Sequence, residues 1–584
     1  MTESKMATQS KSKRRYEVVT PQKSDGATYT PKALADFVAS QMVSHARNCD
    51  PNQPLRVLDP AVGDGELLLS LLEQLDDSLL PRVEVFGFDT NQSALNLAAS
   101  RLRQRFSQVA VHFSHENFLE HVLEHFEVDD RASLFRIEPP TTFDFIIANP
   151  PYVRTQIMGT DQAQLLAGQF GLSGRVDLYH AFLIGMAQVM RPGSIAGIIV
   201  SNRFMTTKSG SAVRRAIHNR FHVRHVWDLG DTKLFDAAVL PAVLLLEKRV
   251  NGHSEPTRFT SIYETTDAAS QQATDVMTAL SHVGAVEIND GRRFFVKQGR
   301  LDHPEKTESV WRIATTETDS WLAQVETRTW GTFRDIGKVR VGVKTCADKV
   351  FIRSDWDELP RDDRPELLRT LITHHVARRF RAASTIADWK IVYPHESVEG
   401  TRRAVDLAQY PRACRYLEKH RSVLEDRSYV LEAGRQWFEI WVPQDPSRWA
   451  APKLVFRDIS EVPTFWIDTD GGIVNGDCYW LSCERREDED LLWLACAVAN
   501  SNFIEEFYDH RFHNKLYSGR RRFITQYVEL FPLPDPKLAT SCRIVELAKR
   551  LFELADTSDT SVLADDLNRM VWSAFGLPVK EVAG

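Results

Sequence analysis

Short, mostly apolar runs separated by helix-like stretches mark about the first 250 residues of the chain. The runs fall at 55–58, 83–88, 109–113, 143–148 and 240–246, and proline or polar residues follow them. Runs of this length that are apolar on both faces are typical of parallel strands covered by helices on each side. The pattern predicts an α/β fold with a Rossmann-like parallel sheet, which would bind its ligands at the carboxyl ends of the strands.

From about residue 331 this alternation gives way to shorter segments that are rich in aromatic residues. Val339–Thr345 and Val350–Ile352 predict a β-hairpin at the start of this half. The mixture of short strands and helices is typical of an α+β domain. The predicted organisation is a disordered tail at 1–24, an α/β domain at 25–262, a connecting segment at 263–330, a mixed α+β domain at 331–540 and a C-terminal helical segment at 541–584.

The composition is that of an ordinary globular protein, since 584 residues with 43% apolar and 26% charged positions can build two or three cores. No apolar run is long enough to span a bilayer. The N-terminus carries the basic run Lys11–Arg15 and lacks the apolar stretch of a secretion signal. The seven cysteines include no C-x-x-C pair, so we expect neither a disulfide framework nor a metal site. These features predict a cytoplasmic protein.

The tetrapeptide Asn149-Pro150-Pro151-Tyr152 directly follows the apolar run at 143–148. The side-chain oxygen of Asn149 and the carbonyl oxygen of Pro150 can each accept a hydrogen of an exocyclic amine, which makes the nitrogen more nucleophilic. The prolines fix φ and remove N–H donors. Tyr152 offers a flat face for an extruded base, a contact worth about 1–3 kcal/mol. These parts predict methylation of a nucleobase amine; the alternative is a Pro-Pro turn with Asn149 as a cap and Tyr152 as packing.

A glycine-containing turn at 59–65 follows the first apolar run. Gly63 and Gly65 permit a tight strand-to-helix turn and close approach of a ligand to the backbone. The spacing matches neither the G-x-G-x-x-G of dinucleotide binders nor the G-x-x-x-x-G-K of phosphate loops, so a small zwitterion fits better than a pyrophosphate. Asp89 ends the second run, where an acid commonly binds ribose hydroxyls. Asn117 and Phe118 follow the third run. Phe118 could stack on the face of an adenine, and Asn117 could hydrogen-bond to its polar edge.

The net charge of −7 is unusual for a nucleic-acid-binding protein, so local basic clusters would have to carry phosphate contacts. Two segments interleave cations with aromatic residues, at 378–381 and at 515–523. Arginine can bond guanine as a fork, and lysine and arginine neutralise phosphates. The predicted DNA contacts in the second segment are Lys515, Arg520, Arg521 and Arg522. The alternative for most individual arginines is a charged, solvated surface.

With the glycine turn, the strand-end acid and Asn-Pro-Pro-Tyr in this order, the chain resembles amino-type DNA methyltransferases that make N6-methyladenine, in the γ arrangement with the target-recognition domain last. The resemblance implies a methyltransferase catalytic domain at 25–262 and a specificity domain at 331–540. The implied cofactor-binding residues are Thr30, Asp59, Gly63, Gly65, Asp89, Asn117 and Phe118. The implied catalytic residues are Asn149, Pro150 and Tyr152, and the residues implied to flank the target base are Tyr152 and Phe235. The chain departs from the family at Val62, where many relatives have Cys, and at Asn117, where Asp is usual.

The same resemblance implies S-adenosyl-L-methionine as cofactor, double-stranded DNA as substrate, functional pairing with a separate restriction endonuclease, and a monomer. Enzymes that methylate release-factor glutamines or ribosomal RNA guanines share the tetrapeptide, but their chains are usually shorter and lack a large C-terminal reader. A bifunctional nuclease–methyltransferase would carry a nuclease domain before the methyltransferase, and only about 25 residues precede Thr28. A non-catalytic DNA-binding subunit would be expected to lose the glycine turn or the tetrapeptide, and both are intact.

Overall fold

The computed structural model describes residues 30–46, 53–125, 141–151, 168–170, 178–207, 210–235, 240–250, 256–302, 310–383, 389–483, 485, 488–512, 520–556 and 559–579. The chain divides into two compact units, residues 1–313 and residues 314–584. The predicted disordered tail at 1–24 lies outside the described residues. None of the described helices is long and apolar enough to cross a membrane.

Twelve of the described strands form one sheet, which begins at Leu55 and extends to the end of the first unit. In chain order they are β1 (Leu55–Asp59), β2 (Val83–Phe88), β3 (Ala110–Ser114), β4 (Phe143–Ala148), β5 (Met190–Ser201), β6 (Phe221–Asp228), β7 (Pro241–Lys248), β8 (Arg258–Glu264), β9 (Gln271–Ala273), β10 (Gly284–Ile288), β11 (Arg293–Asp302) and β12 (Arg312–Ala314). Their order across the sheet is β3-β2-β1-β4-β5-β7-β6-β8-β11-β10-β9, and β12 pairs with β11.

The direction of these strands gives the sheet one edge suited to ligands. Strands β3, β2, β1, β4 and β5 run parallel to their neighbours. Strand β7 is antiparallel to both β5 and β6, so β6 has the same direction as β5, and β8 is parallel to β6. The carboxyl ends of β1 to β6 and of β8 therefore lie along a single edge, called the carboxyl edge below. In doubly wound α/β sheets ligands bind at this edge.

Helices cover both faces of the sheet. In chain order they are α1 (Lys32–Ser44), α2 (Glu66–Gln74), α3 (Gln92–Arg105), α4 (Phe118–His125), α5 (Tyr179–Val189), α6 (Arg203–Thr206), α7 (Ser211–Arg220) and α8 (Val276–Ala279). Residues of α1, α2, α3 and α8 belong to one hydrophobic core cluster, and residues of α4 to α7 belong to another. The predicted α/β fold is confirmed.

Central strands form because their successive side chains fill both cores. In β4, Phe145 and Ile147 belong to the first cluster, whereas Ile146 and Ala148 belong to the second. All four residues are buried. A strand that is buried on both faces reads as a continuous apolar run, which is the pattern seen in the sequence. The catalytic tetrapeptide predicted from the sequence therefore leaves the sheet from a rigid, fully packed strand.

The segment at 263–330 differs from its prediction as a connection. Strands β9, β10 and β11 within it extend the large sheet beyond β8, and the boundary between the units follows Ile313. Strand β11 alternates buried and exposed positions along part of its length, with Phe294 and Val296 buried and Lys297 exposed. A strand covered on one face carries a weaker apolar signal than a buried parallel strand, and this weaker signal explains the missed extension.

The second unit is a mixture of short strands and helices around an aromatic core. Its helices are α9 (Thr316–Arg328), α10 (Phe333–Ile336), α11 (Asp348–Phe351), α12 (Pro411–Glu418), α13 (Arg421–Glu425), α14 (Ser428–Glu432), α15 (Glu489–Ala499), α16 (Asn502–Phe512), α17 (Thr525–Val528), α18 (Ala539–Leu554) and α19 (Ser561–Ala574). Five tryptophans are almost completely buried in it: Trp356, Trp449, Trp466, Trp480 and Trp572. Helices α18 and α19 contact α15, so the C-terminal helical segment packs within this unit.

The strands of the second unit form a five-stranded sheet, a four-stranded sheet and three two-stranded pairs among the described residues. They are β13 (Gly331–Thr332), β14 (Arg340–Val341), β15 (Ile352–Arg353), β16 (Leu368–Ile372), β17 (Phe380–Arg381), β18 (Lys390–Val392), β19 (His395–Val398), β20 (Thr401–Ala404), β21 (Lys453–Arg457), β22 (Ile459–Ser460), β23 (Phe465–Asp468), β24 (Ile473–Val474), β25 (Cys478–Leu481), β26 (Arg521–Arg522) and β27 (Pro532–Leu533). The predicted hairpin at 339–352 is wrong, because β14 pairs with β25 and β15 pairs with β18.

Candidate active site

The glycine loop, residues 59–65, turns sharply from β1 into α2 at the carboxyl edge. Gly63 and Gly65 adopt left-handed backbone conformations, with φ of 55° and 81°. A Cβ atom at Gly65 would lie 2.9 Å from the Cβ of Ala98 in α3, so the loop also needs glycine there to approach that helix. The N–H of Val62 donates to the carbonyl oxygen of Phe88 at 3.0 Å and ties the loop to the end of β2. The loop is thus held from two sides, with both glycines required by its geometry.

Asp89 connects the end of β2 to this loop. Its Oδ2 accepts the N–H of Gly63 at 2.8 Å, and its Oδ1 accepts the N–H of Asn91 at 2.8 Å. These two bonds fix the carboxylate at the carboxyl edge beside the glycine loop, where the side chain is half-buried. A carboxylate oxygen has more than one lone pair, so each oxygen can still accept a ligand hydroxyl.

Asp59, the last residue of β1, is a buried carboxyl with an unusual charge environment. Its Oδ1 accepts the N–H of Ala61 at 3.0 Å, whereas its Oδ2 has no hydrogen-bond partner among the described residues. Burial raises the pKa of this carboxyl to about 8; the N–H of Ala61 opposes the shift, and the charges of Asp89 and Asp64 add to it. An unpartnered buried oxygen costs free energy unless a ligand supplies a donor or a positive charge.

Asn117 and Phe118 take structural positions at the start of α4. The Oδ1 of Asn117 accepts the N–H of Leu119 at 3.0 Å, which is a helix-capping bond. The ring of Phe118 is only 2% exposed and lies 5.6 Å, centroid to centroid, from both Phe88 and Phe182. Phe118 therefore belongs to the second core and Asn117 caps α4, and their contacts with an adenine stay a prediction.

Asn149 stands directly after β4, between the glycine loop and the rest of the carboxyl edge. Its Nδ2 donates to the Oγ1 of Thr30 at 3.1 Å, which joins two predicted site residues that lie 119 positions apart. Because the nitrogen of the amide faces Thr30, the oxygen is directed away from Thr30. Pro150 is buried and Pro151 is half-buried. Tyr152, the last residue of the tetrapeptide, lies outside the described residues.

A second group of polar residues occupies the carboxyl edge on the far side of β4. Asn202, Asp228 and Tyr263 follow or end β5, β6 and β8, and they hydrogen-bond to one another. The sequence did not predict Asp228 and Tyr263 as site residues. Asp228 ends a strand as an acid, but that strand contains His222, Arg224 and His225 and gives no continuous apolar run. Phe235, seven residues after Asp228, is 8% exposed and belongs to the first core cluster.

Two arginines of the basic cluster in the second unit pair with carboxylates of the same unit. Arg521 is 9% exposed; its Nε and Nη2 donate to the two carboxylate oxygens of Asp509 at 2.8 and 2.9 Å. Arg522 donates to both oxygens of Asp458 at 3.0 and 3.2 Å. The guanidinium groups of Arg521 and Arg522 thus each hold a carboxylate as a fork, and their contacts with DNA stay a prediction.

Arg520 remains suited to a phosphate. It is exposed and lies 3.4 Å from Glu461, whose side chain is 65% exposed, and such surface pairs are weak. Lys515 lies outside the described residues. In the described part of the chain, no cluster of three or more histidine, cysteine, aspartate or glutamate side chains is arranged to hold a metal ion.

Known proteins are similar to this chain over the residues that form the site. Residues 83–235, from β2 to the segment after β6, match the Eco57I restriction-modification methylase family. Type II methyltransferase M.BanIII of Aneurinibacillus aneurinilyticus is 37% identical over 580 residues, which cover 96% of this chain and 98% of that protein. The chain belongs to the Type II methyltransferases of restriction-modification systems.

More distant relatives match over most of the chain. Type II methyltransferase M.BstVI of Geobacillus stearothermophilus is 24% identical, over 88% of this chain and 91% of that protein. The solved structure of the Type IIL restriction-modification enzyme MmeI, in complex with DNA, aligns with a TM-score of 0.57 and 13% identity, covering 94% of this chain and 73% of that one. At this identity the structural likeness shows the fold.

This methyltransferase acts on DNA and uses S-adenosylmethionine, and its glycine loop fits that cofactor. The cofactor carries positive charge on its sulfonium and amino groups. Asp59 offers a buried oxygen that has no partner among the described residues, and Asp64 and Asp89 lie near enough to influence it electrostatically. A loop with this charge attracts a cation, whereas it would repel a pyrophosphate. The residues present therefore suit the cofactor on chemical grounds.

Proposed function

We propose that this methyltransferase transfers a methyl group from S-adenosylmethionine to the N6 amine of adenine in double-stranded DNA, at one recurring short sequence. The observation that carries the proposal is Asn149 at the end of β4, oriented by its 3.1 Å hydrogen bond to Thr30. This bond supports a site in which an amide oxygen and the rigid backbone of Pro150 face an amine. The restriction-modification family supplies the setting, in which methylation protects host DNA from a separate restriction endonuclease.

In this proposal the side chains at β4 position the target base. The Asn149 side-chain oxygen and the Pro150 carbonyl oxygen accept the two hydrogens of the adenine amine, while Tyr152 and Phe235 flank the ring. When bound, S-adenosylmethionine supplies a methyl group already activated by its sulfonium. The new N–CH₃ bond replaces the S–CH₃ bond, and the amine then loses a proton to water. Positioning and electrostatics therefore supply most of the rate enhancement.

The proposed cofactor contacts are distributed along the same edge. Asp59 would face positive charge, Gly63 and Gly65 would give backbone access, and Asp89 would accept ribose hydroxyls. The remaining proposed contacts are Thr30, Asn117 and Phe118. Because Asn117 caps α4 with its oxygen, its Nδ2 is the group suited to a ring nitrogen of adenine.

The second unit is the proposed target-recognition domain. Its position after the methyltransferase unit agrees with the γ arrangement, and Arg520 and Lys515 remain as proposed phosphate contacts. One recognition domain per chain suits a monomer that modifies each DNA strand in a separate event. The base-flipping step costs a few kcal/mol, about the range that stacking against aromatic side chains can repay.

The proposal is tested by sequencing, at single-base resolution, the DNA of cells that express the wild type or Asn149→Ala. We expect N6-methyladenine at one recurring sequence in DNA from wild-type cells. With purified protein, the single-turnover rate of methylation should be about 10²- to 10³-fold lower for Asn149→Ala, as for loss of one preorganised polar group. Thr257→Ala, a buried substitution on the same unit away from the carboxyl edge, serves as the folding control. Unmodified DNA from wild-type cells, with purified protein still binding S-adenosylmethionine, would contradict the proposal and direct attention to release factors and ribosomal RNA.

A further inference from the structure

The segment from Leu229 to Phe235 leaves the sheet at the same edge as the catalytic tetrapeptide. Strands β4, β5, β6 and β8 share one direction, so the residues after them lie along the carboxyl edge. Leu229 is also anchored to the next strand, because its N–H donates to the carbonyl oxygen of Pro241 at 3.0 Å. Residues 229–235 are called the base-side segment below. The segment ends at Phe235, which the proposed function places against the target base.

The carboxyl of Asp228, referred to below as the hub, accepts the hydrogen bonds that fix the start of the base-side segment. Its Oδ1 accepts the Nδ2 of Asn202 at 2.9 Å and the N–H of Gly230 at 3.2 Å. Its Oδ2 accepts the hydroxyl of Tyr263 at 2.7 Å. Asp228 is only 1% exposed, and each oxygen has at least one donor. This carboxyl therefore joins the ends of β5, β6 and β8 in one hydrogen-bonded group.

The strands that extend the sheet beyond β6 hold the segment at three further points. The Oδ1 of Asp231 accepts the N–H of Glu264 at 2.8 Å. The Nη1 of Arg292 donates to the carbonyl oxygen of Thr232 at 2.9 Å. A Cβ atom added at Gly230 would lie 2.3 Å from the carbonyl oxygen of Ile262, so the backbone is pressed against β8.

We infer that strand β8 and the turn between β10 and β11 serve as a brace for the target-base side of the active site, with Asp228, Tyr263 and Arg292 as positioning residues that act through the base-side segment. The inference rests on the proposed function, because that function places Phe235 against the flipped adenine. The brace lies outside the glycine loop and the tetrapeptide, so it would affect base capture without affecting cofactor binding.

A purely structural role for the same contacts is the competing explanation. Burial raises the pKa of Asp228 to about 6, while hydrogen bonds from Tyr263, Asn202 and Gly230 oppose the shift. A buried carboxyl is a poor source of stability compared with well-packed apolar side chains. The three donors to Asp228 come from three separate strand ends. Their hydrogen bonds fix the relative positions of these strand ends more narrowly than apolar packing would.

Two substitutions separate the two explanations. Tyr263→Phe removes one hydroxyl from the hub and leaves the ring in place. Arg292→Gln removes the donor to Thr232, and its side chain is 33% exposed, so folding is at little risk. Arg293→Gln is the matched control, because this neighbouring arginine pairs with Glu287 at 3.2 Å and both side chains are more than a third exposed.

The experiment uses the full-length protein, S-adenosylmethionine, and a duplex with the recognised sequence in which 2-aminopurine replaces the target adenine. Fluorescence of the 2-aminopurine reports extrusion of the base, and a second duplex with adenine gives kcat and the KM for DNA. For Tyr263→Phe and Arg292→Gln we expect about a tenfold loss of kcat and a reduced fluorescence rise. We expect the dissociation constant for S-adenosylmethionine to stay within about twofold, and Arg293→Gln to match the wild type.

Three results would overturn the inference. Unchanged kcat and fluorescence in both variants, with only a lower unfolding temperature, would show a structural role alone. Loss of cofactor affinity to the same extent as kcat would show that the network supports the glycine loop instead. If the wild type does not methylate adenine, the proposed function and the inference are both wrong. If the wild type methylates adenine and the two variants are unaffected, only the inference is wrong.

Discussion

Two buried aspartates end parallel strands of the same sheet, and their surroundings differ in an informative way. Asp59 ends β1 with one carboxylate oxygen that lacks a partner among the described residues. Asp228 ends β6 with both oxygens bonded to donors from neighbouring strand ends. Burial raises the pKa of both groups, to about 8 for Asp59 and about 6 for Asp228. The unsatisfied acid is suited to an incoming ligand, whereas the satisfied acid is suited to holding backbone in place.

The pH dependence of cofactor binding should show the largest difference between Asp59 and Asp228. Asp59 is protonated below about pH 8 in the unliganded protein, and a bound cation favours its ionised form. Affinity for S-adenosylmethionine should therefore rise with pH up to about 8, by at most about tenfold per pH unit. Asp59→Asn should weaken binding at pH 8 by about tenfold or more and flatten this profile. Titration calorimetry from pH 6 to 9 measures both effects.

Asp228→Asn provides the control for that experiment. It removes a buried carboxyl of the same sheet edge that the comparison assigns to positioning. Its cofactor affinity should keep the wild-type pH profile. A flat profile in Asp228→Asn, or an unchanged one in Asp59→Asn, would contradict the assignment of the two acids.

The stability of the unliganded protein gives a second, smaller test. A carboxyl whose pKa is raised by folding stabilises the fold fully below its unfolded pKa and loses that contribution as pH rises through its folded pKa. The window runs from 3.8 to about 8 for Asp59 and from 3.8 to about 6 for Asp228. The free energy of unfolding should fall with pH by at most about 1.4 kcal/mol per pH unit for each group.

The two asparagine variants should divide this pH range between them. Asp59→Asn should remove the decline between about pH 6 and 8, and Asp228→Asn should affect only the region below about pH 6. Denaturant unfolding at a series of pH values, followed by tryptophan fluorescence, measures the difference. A decline above pH 6 that persists in Asp59→Asn would assign it to another group.

The smallest expected effect on binding is that of Arg520→Ala. Arg520 and its neighbour Arg521 repeat the contrast between an exposed charge and one that is paired in the interior. Arg520→Ala removes an exposed cation whose partner is also exposed. We expect a few-fold loss of DNA affinity, a salt dependence reduced by about one phosphate contact, and unchanged stability. Binding to a labelled duplex at several salt concentrations measures this.

Arg521→Ala should behave in the opposite way. It would remove the buried cation that pairs with Asp509 and Glu505 and should lower stability by about 3 kcal/mol or more. Its effect on DNA should appear only as loss of folded protein. Equal stability of Arg520→Ala and Arg521→Ala, or a loss of DNA affinity in folded Arg521→Ala, would identify Arg521 as a DNA contact.

The parts of the site that the sequence predicted best are those built from contiguous residues. The glycine loop, the apolar strands and the tetrapeptide each carry their signal within a few positions, because buried parallel strands and tight turns constrain adjacent residues. The hydrogen bond between Thr30 and Asn149 joins two such motifs, which the family resemblance had already placed in one site.

Features that depend on distant pairing were missed or wrongly predicted. The two-residue strands β14 and β15 pair with strands that follow them by many positions, so the local pattern looked like a hairpin. Arg522 pairs with Asp458, 64 positions away, and a charge run cannot reveal such a partner. Strands β9 to β11 lie in the segment that the sequence predicted as a connection, and β11 alternates buried and exposed positions over only part of its length.

Mass spectrometry of nucleosides shows directly which base is methylated, if unmethylated plasmid DNA is first incubated with purified protein and isotopically labelled S-adenosylmethionine. We expect labelled N6-methyldeoxyadenosine from the wild type, reduced about 10²-fold or more in Asn149→Ala. Label in N4-methyldeoxycytidine or 5-methyldeoxycytidine, or no label in DNA from an enzyme that binds the cofactor, would contradict this expectation.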